Sequence, residues 1–376
     1  MKFVVSSTEL LSHLQAVSRV ISTKNTLPIL DNFLFKLESN QLEITASDLE
    51  STLVTTMGIE NTTDEGSIAI PARLITDTLK EFSEQPLTFE IDLNKLSVII
   101  NSENGKFTIV GYNAGEFPQM PTIKPDKKAS IELAPDLLLS GISSTLFATA
   151  DDELRPVMNG VFIELSTDDI TFVASDAHKL VRYKRTDAKA AENSSFILPK
   201  KPASLLKNVL PKEENKVTLE FDDKNAFFSM TEYRLVCRLV EGNYPSYNSV
   251  IPTGNPNKLT IDRHEFLNTL RRVSVFSNQA SNLVKLQLTG NQVTVSAQDI
   301  DFSISAYERI KCQYEGDDME IGFKSTFLLE ILANLASSDI VLELSDPTRA
   351  GILLPAEQDN ESEDVLMLLM PMMINA

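Results

Sequence analysis

The side chains with the most chemical promise stand close together: Ser175, Asp176 and His178 supply a hydroxyl, a carboxylate and an imidazole within four residues. A nucleophilic triad is defined by convergence in space and not by adjacency, and neighbours on an extended segment point to opposite faces. No nucleophile elbow, phosphate-cradling loop or HExxH pattern accompanies them. The histidines, His13, His178 and His264, show no metal-ligand spacing. Asp299 and Asp301 form a carboxylate pair for which the sequence offers no third ligand. Cys237 and Cys312 are far apart, a usage that fits a reducing compartment without a disulfide framework. The expectation is a protein with no catalytic residue, no metal and no cofactor. A hydrolase using the acidic clusters is the enzymatic reading set against it.

Composition narrows the class. The 376 residues are 42% hydrophobic and 23% charged, which is ordinary for a globular protein and long enough for two or three domains. No secretory leader is read at the start. The longest apolar run, Val365 to Ile374, is broken by Pro371 and too short to cross a bilayer. A cytoplasmic protein with no membrane partner is expected. The net charge of −19 speaks against nucleic acid if charge is spread evenly, but binding depends on where each sign is placed.

The elements that must position these residues come in three copies. Leu37-Glu38-Ser39-Asn40-Gln41-Leu42-Glu43-Ile44 reads as two alternating strands around a tight turn. The pattern recurs from Leu165 to Phe172 and from Leu288 to Val295, offsets of 128 and 123 residues. Each copy runs on to an aspartate: Asp48, Asp176 and Asp299. Strand-to-helix junctions at Ile70-Pro71-Ala72-Arg73, Leu198-Pro199-Lys200-Lys201 and Gly322-Phe323-Lys324-Ser325 keep nearly the same period, as do Phe117-Pro118, Tyr244-Pro245 and Met370-Pro371. Three domains follow, at 1–123, 129–252 and 258–376, with linkers at Lys124–Lys128 and Thr253–Asn257.

Each repeat also shows two helices with a single apolar stripe: Leu10, Leu11, Leu14, Val17 and Leu74, Ile75, Leu79, Phe82 in the first. The second has Leu138, Leu139, Ile142, Leu146 and Leu205, Leu206, Val209, Leu210; the third has Phe266, Leu267, Leu270, Val273 and Phe327, Leu328, Ile331, Leu332, Leu335. Such helices lie on a sheet and expose a polar face. The fold class is α+β, three tandem copies of antiparallel sheet with two helices on one face. Over windows 8–24, 71–82, 135–147, 199–210, 261–273 and 323–335, eleven Lys and Arg stand against seven Asp and Glu. The rest of the chain carries 23 basic and 46 acidic residues. Mildly cationic helices within a strongly anionic protein suit loose, sliding contact with DNA; ordinary surface lysines and arginines are the plain alternative. Base-reading motifs are absent.

These residues resemble, over essentially the whole length, the beta subunits of bacterial DNA polymerase III, the beta sliding clamps. The resemblance rests on Met1-Lys2-Phe3, Thr26-Leu27-Pro28-Ile29-Leu30, Ser47-Asp48-Leu49-Glu50 and Pro71-Ala72-Arg73 in the first repeat. It continues through Asn159-Gly160, Ser175 to Leu180 and Val240-Glu241-Gly242, then Met319 to Phe323 and Met370-Pro371-Met372. It implies a processivity factor: a head-to-tail homodimer whose six domains form a ring, sheets outside and helices lining the hole. Such a ring encircles double-stranded DNA without sequence specificity and tethers the polymerase alpha subunit, the clamp loader and other clamp-motif proteins. A repeat-built peptide-binding scaffold that never meets DNA is the alternative.

The resemblance also implies sites. A peptide pocket would use Met158, Ser175, Ala177, His178, Lys179, Leu180, Pro245, Val250, Leu368, Met370, Pro371, Met372 and Met373. DNA contacts would be Lys24, Arg73, Arg155, Lys200 and Lys201, and the dimer interface would set Phe82 and Phe107 against Val275 and Phe276. Three features depart from the family pattern: Ser249 in place of an arginine, Pro156 and Val157 in place of tyrosines near DNA, and Ile374-Asn375-Ala376 beyond the usual end.

Overall fold

A computed structural model describes residues 1–123, 129–358 and 360–374. The expected linker Lys124–Lys128 and the terminal Asn375-Ala376 lie outside the described residues. The helices among the described residues are α1 (Ser7–Ser18), α2 (Ala72–Lys80), α3 (Pro135–Thr145), α4 (Lys200–Val209), α5 (Arg263–Ser274) and α6 (Ser325–Asn334). Ser6 caps α1 by accepting from the Glu9 amide at 3.1 Å, and Asp262 caps α5 by accepting from Glu265 at 2.6 Å.

Two expectations about these helices need correction. The window to residue 24 overreaches, because α1 ends at Ser18 and Lys24 sits in a bend. Ser22, Thr23 and Asn25 offer the backbone local partners that compete with a helix. On α2 the buried set is Ala72, Ile75, Thr76 and Leu79, so Leu74 points out at 51% exposure. The i, i+3, i+4, i+7 stripe is kept by a threonine in place of the leucine.

The three hairpins form where the alternation placed them, at Asn32–Glu38 with Gln41–Ser47, Gly160–Leu165 with Ile170–Ser175, and Leu283–Thr289 with Gln292–Asp299. Their turns are solved differently. Ser39 and Asn40 both take left-handed φ, 50° and 63°, as a two-residue hairpin requires. In the second copy the Ser166 hydroxyl accepts from the amides of Asp168 and Asp169 at 3.1 and 2.9 Å.

The compact bodies are not the three repeats. One unit comprises Met1–Leu139 with Lys201–Leu239, the other Ser140–Lys200 with Val240–Ala376, so the middle repeat is divided between them. In the first unit an eight-stranded antiparallel sheet crosses from the first repeat into the second where Ser51–Gly58 pairs with Tyr233–Arg238. A five-stranded sheet ends at the edge strand Lys106–Val110. In the second unit a nine-stranded sheet crosses from the second repeat into the third where Lys179–Arg185 pairs with Glu363–Leu369. A four-stranded sheet there ends at the edge strand Ile304–Lys311.

Helices α1 and α2 pack on the first-repeat strands, and α5 and α6 on those of the third. Phe266 and Phe323 are fully buried in the second unit's core, where each such side chain contributes about 1.5–3 kcal/mol. The segment read as a linker at Thr253–Asn257 is anchored. Asn255 and Asn257 are buried and donate to the carbonyls of Glu343 and Ser345 at 3.2 and 3.0 Å.

Candidate functional site

The turn between Ile170–Ser175 and Lys179–Arg185 consumes the groups that hinted at catalysis. Ser175 Oγ donates to the Lys179 carbonyl at 2.9 Å and accepts from the Ala177 amide at 3.2 Å. Asp176 Oδ1 accepts from the amides of His178 and Lys179 at 2.9 and 2.8 Å. This network sustains Ala177 at a φ of 73°, a conformation that costs an alanine about 1 kcal/mol. The His178 ring stacks on Phe327 of α6, centroids 5.7 Å apart. The same turn is built around Asp48, which accepts from Glu50 and Ser51, and around Asp299, which accepts from Asp301 and Phe302. Asp299 is therefore a buried turn residue. No group of three or more His, Cys, Asp or Glu among the described residues could hold a metal ion.

Lys179 is buried, yet compensated on three sides. Its ammonium lies 2.6 Å from Asp176, 3.0 Å from Glu330 and 4.4 Å from the centroid of the Phe327 ring. A desolvated cation is tolerated only when paired in this way. The Lys324 ammonium approaches the same ring at 4.6 Å.

Beside this cluster lies an apolar floor. Leu180 and Leu368 face each other across the strand pair and join Val173, Tyr247, Ile352 and Leu366, with Phe162, Tyr244, Ile251 and Leu354 against them. Tyr244 stacks on Phe162 at 4.7 Å, and the Tyr247 hydroxyl donates to Glu164. Burial first, then the Glu164 carboxylate, holds the Tyr247 phenol above its ordinary pKa. Pro245 and Val250 flank the floor on the exposed side.

The chain end forms the rim. The Met370 amide donates to the His178 carbonyl at 2.9 Å and the Met372 amide to the Gly322 carbonyl at 2.8 Å, while Pro371 between them has no N–H to continue a ladder. A Cβ on Gly322 would come within 2.8 Å of the Met372 carbonyl oxygen, so glycine lets the rim segment lie close. Met370 and Met373 are left exposed. The structure thus brings Ser175, Ala177, His178, Lys179, Leu180, Leu368 and Met370–Met373 together. Met158 lies in the half-buried turn that leads into Gly160–Leu165. The sequence reading missed Phe327, Lys324, Tyr244, Tyr247 and Ile352 as site residues. Phe327 was assigned to a helix core stripe, and only the half-burial beside His178 reveals its other role.

Apart from Lys24, the expected DNA contacts are cations with acidic neighbours. In the first unit Arg73 is exposed, 3.7 Å from Asp77, and Lys201 turns inward to Asp48 and the Val20 carbonyl. Lys24 is exposed. In the second unit Arg155 pairs with Asp152 at 2.8 Å and Lys200 with Asp151 at 2.7 Å. The Arg155 hydrogen bond holds the Asp152 carboxyl below its ordinary pKa. Among the residues expected at an interface, Phe82 meets Phe107 edge to face at 5.3 Å on the edge strand Lys106–Val110. Val275 and Phe276, just after α5, are exposed.

Repeats that share sheets across their joints, with a turn and an apolar floor whose polar groups are spent on structure, define a scaffold that binds other macromolecules. Sequence models of the DNA polymerase III beta subunit match throughout: the N-terminal domain over residues 1–121, the central domain over 132–246 and the C-terminal domain over 248–373. The chain belongs to the family of DNA polymerase III beta subunits. The beta sliding clamp of Pseudomonas putida is 28% identical over 367 residues, covering 97% of this chain and 99% of that one. That of Synechocystis sp. is 30% identical over 385 residues, covering 94% and 96%. The crystal structure of the Pseudomonas aeruginosa sliding clamp bound to griselimycin superposes with a TM-score of 0.93 at 26% identity, covering 100% of both chains. The protein is thus a sliding-clamp processivity factor for a DNA polymerase, made of three tandem clamp domains, and not an enzyme. No helix among the described residues is long and apolar enough to cross a membrane.

Proposed function

We propose that two copies join head to tail into a ring that holds duplex DNA by encirclement. The observation that carries this reading is the repeated joint. Ser51–Gly58 of the first repeat pairs with Tyr233–Arg238 of the second, and Lys179–Arg185 of the second pairs with Glu363–Leu369 of the third. The strand equivalent to the first member in the third repeat is Ile304–Lys311. The strand equivalent to the second member in the first repeat is Lys106–Val110. Both are unpaired sheet edges in a single chain. Applying the same joint once more between two chains satisfies both edges and covers Phe107, Val275 and Phe276; a head-to-tail contact of this kind closes when its rotation permits.

Domains at 1–123, 129–252 and 258–376 are the units that recur around this ring. Lys24, Arg73, Arg155, Lys200 and Lys201 meet the phosphates loosely, and all but Lys24 have part of their charge spent on a neighbouring carboxylate, which suits sliding. The cleft from Met158 through Leu180 and Val250 to Met373 takes short peptides from the polymerase alpha subunit, the clamp loader and other clamp-motif proteins. Its thioethers allow repacking around different ligands. The setting is the cytoplasm.

Loading by a clamp loader onto a nicked circular duplex, followed by linearisation, tests the mechanism. Retention on the circle and loss from the linear form are expected, and V275D/F276D sediments as a folded monomer that neither form retains. Equal retention on both topologies would remove the encirclement reading.

A further inference from the structure

The first unit contains an open groove of about 910 Å³ that the sites above do not use. Leu34, Thr45, Phe117, Met120, Phe227 and Val236 give it apolar walls. Its position is the counterpart, one joint earlier, of the apolar floor in the second unit. The equivalence is fixed by backbone: the Arg238 amide donates to the Glu50 carbonyl at 2.9 Å, as Met370 does to His178 at 2.9 Å. The repeat spacing then sets Leu34 against Phe162, Lys36 against Glu164, Thr45 against Val173, Phe117 against Tyr244 and Met120 against Tyr247.

In the second unit that floor is sealed. Tyr247 is only 8% exposed, packs 6.4 Å from Phe162 and is pinned by its hydroxyl to Glu164. In the first unit no ring fills the space, because methionine replaces the tyrosine, leucine replaces Phe162, and Lys36 stands where the hydroxyl's acceptor would be. The molecule therefore displays in one copy the kind of side chain that the other copy leaves room for. Charge adds a second requirement. Arg234 stands where the second unit has Leu366, and its guanidinium touches Met120 Sδ at 3.8 Å. Among the described residues no carboxylate lies within ion-pair distance of it. Lys36 on the same wall is paired with Glu38. Glu43 also lines the groove, so an incoming acid is favoured at the Arg234 end.

We propose that this groove is a second recognition site of the clamp, taking an aromatic side chain flanked by a carboxylate from a segment of a partner protein. Its ligand differs from that of the first pocket. The end corresponding to His178 and Met370 is closed here by Glu50 and Arg238, paired at 3.4 Å. The inference does not depend on the pocket assignment.

The test uses the full-length protein with 13C-methyl methionine and, as probe, the blocked peptide Gly-Asp-Phe-Gly with its Asn-containing twin. Met120 reports the groove, and Met370, Met372 and Met373 report the pocket. The Asp peptide is expected to shift Met120 saturably and leave the other three unmoved. The Asn twin, or R234E, should weaken binding about fivefold, the loss of one exposed charge pair. Arg234 is exposed, so that variant keeps the dispersed methyl spectrum of the folded protein. A still Met120, shifts confined to Met370–Met373, or equal affinity for both peptides in wild type and R234E would each overturn the proposal.

Discussion

His13 illustrates how a single side chain can be both buried and consequential. It lies under the joint between the first two repeats, its Nδ1 2.6 Å from Thr55 Oγ1 and its ring stacked on Tyr233 at 5.8 Å, two residues that are themselves paired across the joint. Burial lowers its pKa, Glu232 and Glu9 pull it up, and Lys212 lowers it further, with burial dominant. A histidine with a depressed folded pKa takes up its proton more readily when unfolded. Its influence is absent above the unfolded value near 6.5, and stability falls as pH drops from there toward the folded value. The unfolding free energy from urea titrations should therefore decline below about pH 6.5 by up to about 1.4 kcal/mol per pH unit, and H13N should flatten that decline. A wild-type profile parallel to that of H13N would show that His13 is not responsible. Lys179 gives the complementary case. The sequence placed it in the pocket by likeness, while the structure assigns its charge to joining the Asp176 turn to Glu330 of α6.

The elements were legible where one residue pattern decides one local shape. The three hairpins and the strand-to-helix junctions form at their expected positions, because φ preferences and side-chain-to-backbone hydrogen bonds act within a few residues. The aspartates that follow each hairpin, expected in extended chain, prove to be turns. The joints were not legible. Tyr233–Arg238 finds Ser51–Gly58 across some 180 residues of chain, and alternation says that a strand has a buried face without saying which strand lies beside it. Phe327 was obscured for a related reason, since helical periodicity cannot tell a core residue from one at the rim that stacks on His178. The rim segment carries its own prediction. Leu366–Leu369 stays paired with Lys179–Arg182 when residues 370–376 are removed, so the deletion should abolish binding of a clamp-motif peptide in calorimetry while leaving sedimentation unchanged. Undiminished peptide affinity would exclude the rim from the site.

For the whole molecule, charge bears on the proposed way of holding DNA. The helices carry eight basic residues (Arg73, Lys80, Lys200, Lys201, Lys207, Arg263, Arg271, Arg272) against five acidic ones (Glu9, Asp77, Asp136, Glu265, Glu330), within a chain of net charge −19. Several of those cations are occupied: Arg263 donates to the carbonyls of Leu332 and Ser337, and Arg272 pairs with Glu308. Affinity for linear duplex should then be weaker than the roughly 10⁻⁴ M limit of ordinary non-specific binders at physiological salt, as read by fluorescence anisotropy. Micromolar binding to linear duplex would mean that contact, and not topology, retains the DNA.

The division of the middle repeat between two compact bodies also bears on how such a chain can change over evolutionary time. A strand at a joint answers to a partner in another repeat: Lys184 faces Asp364, and Arg185 faces Glu363. Swapping in a whole repeat from a relative would break two such agreements at once, one on each flank. Exchange at the ladders, cutting through the centre of the repeat, would preserve both. The natural modules for recombination in this protein are therefore the joints themselves.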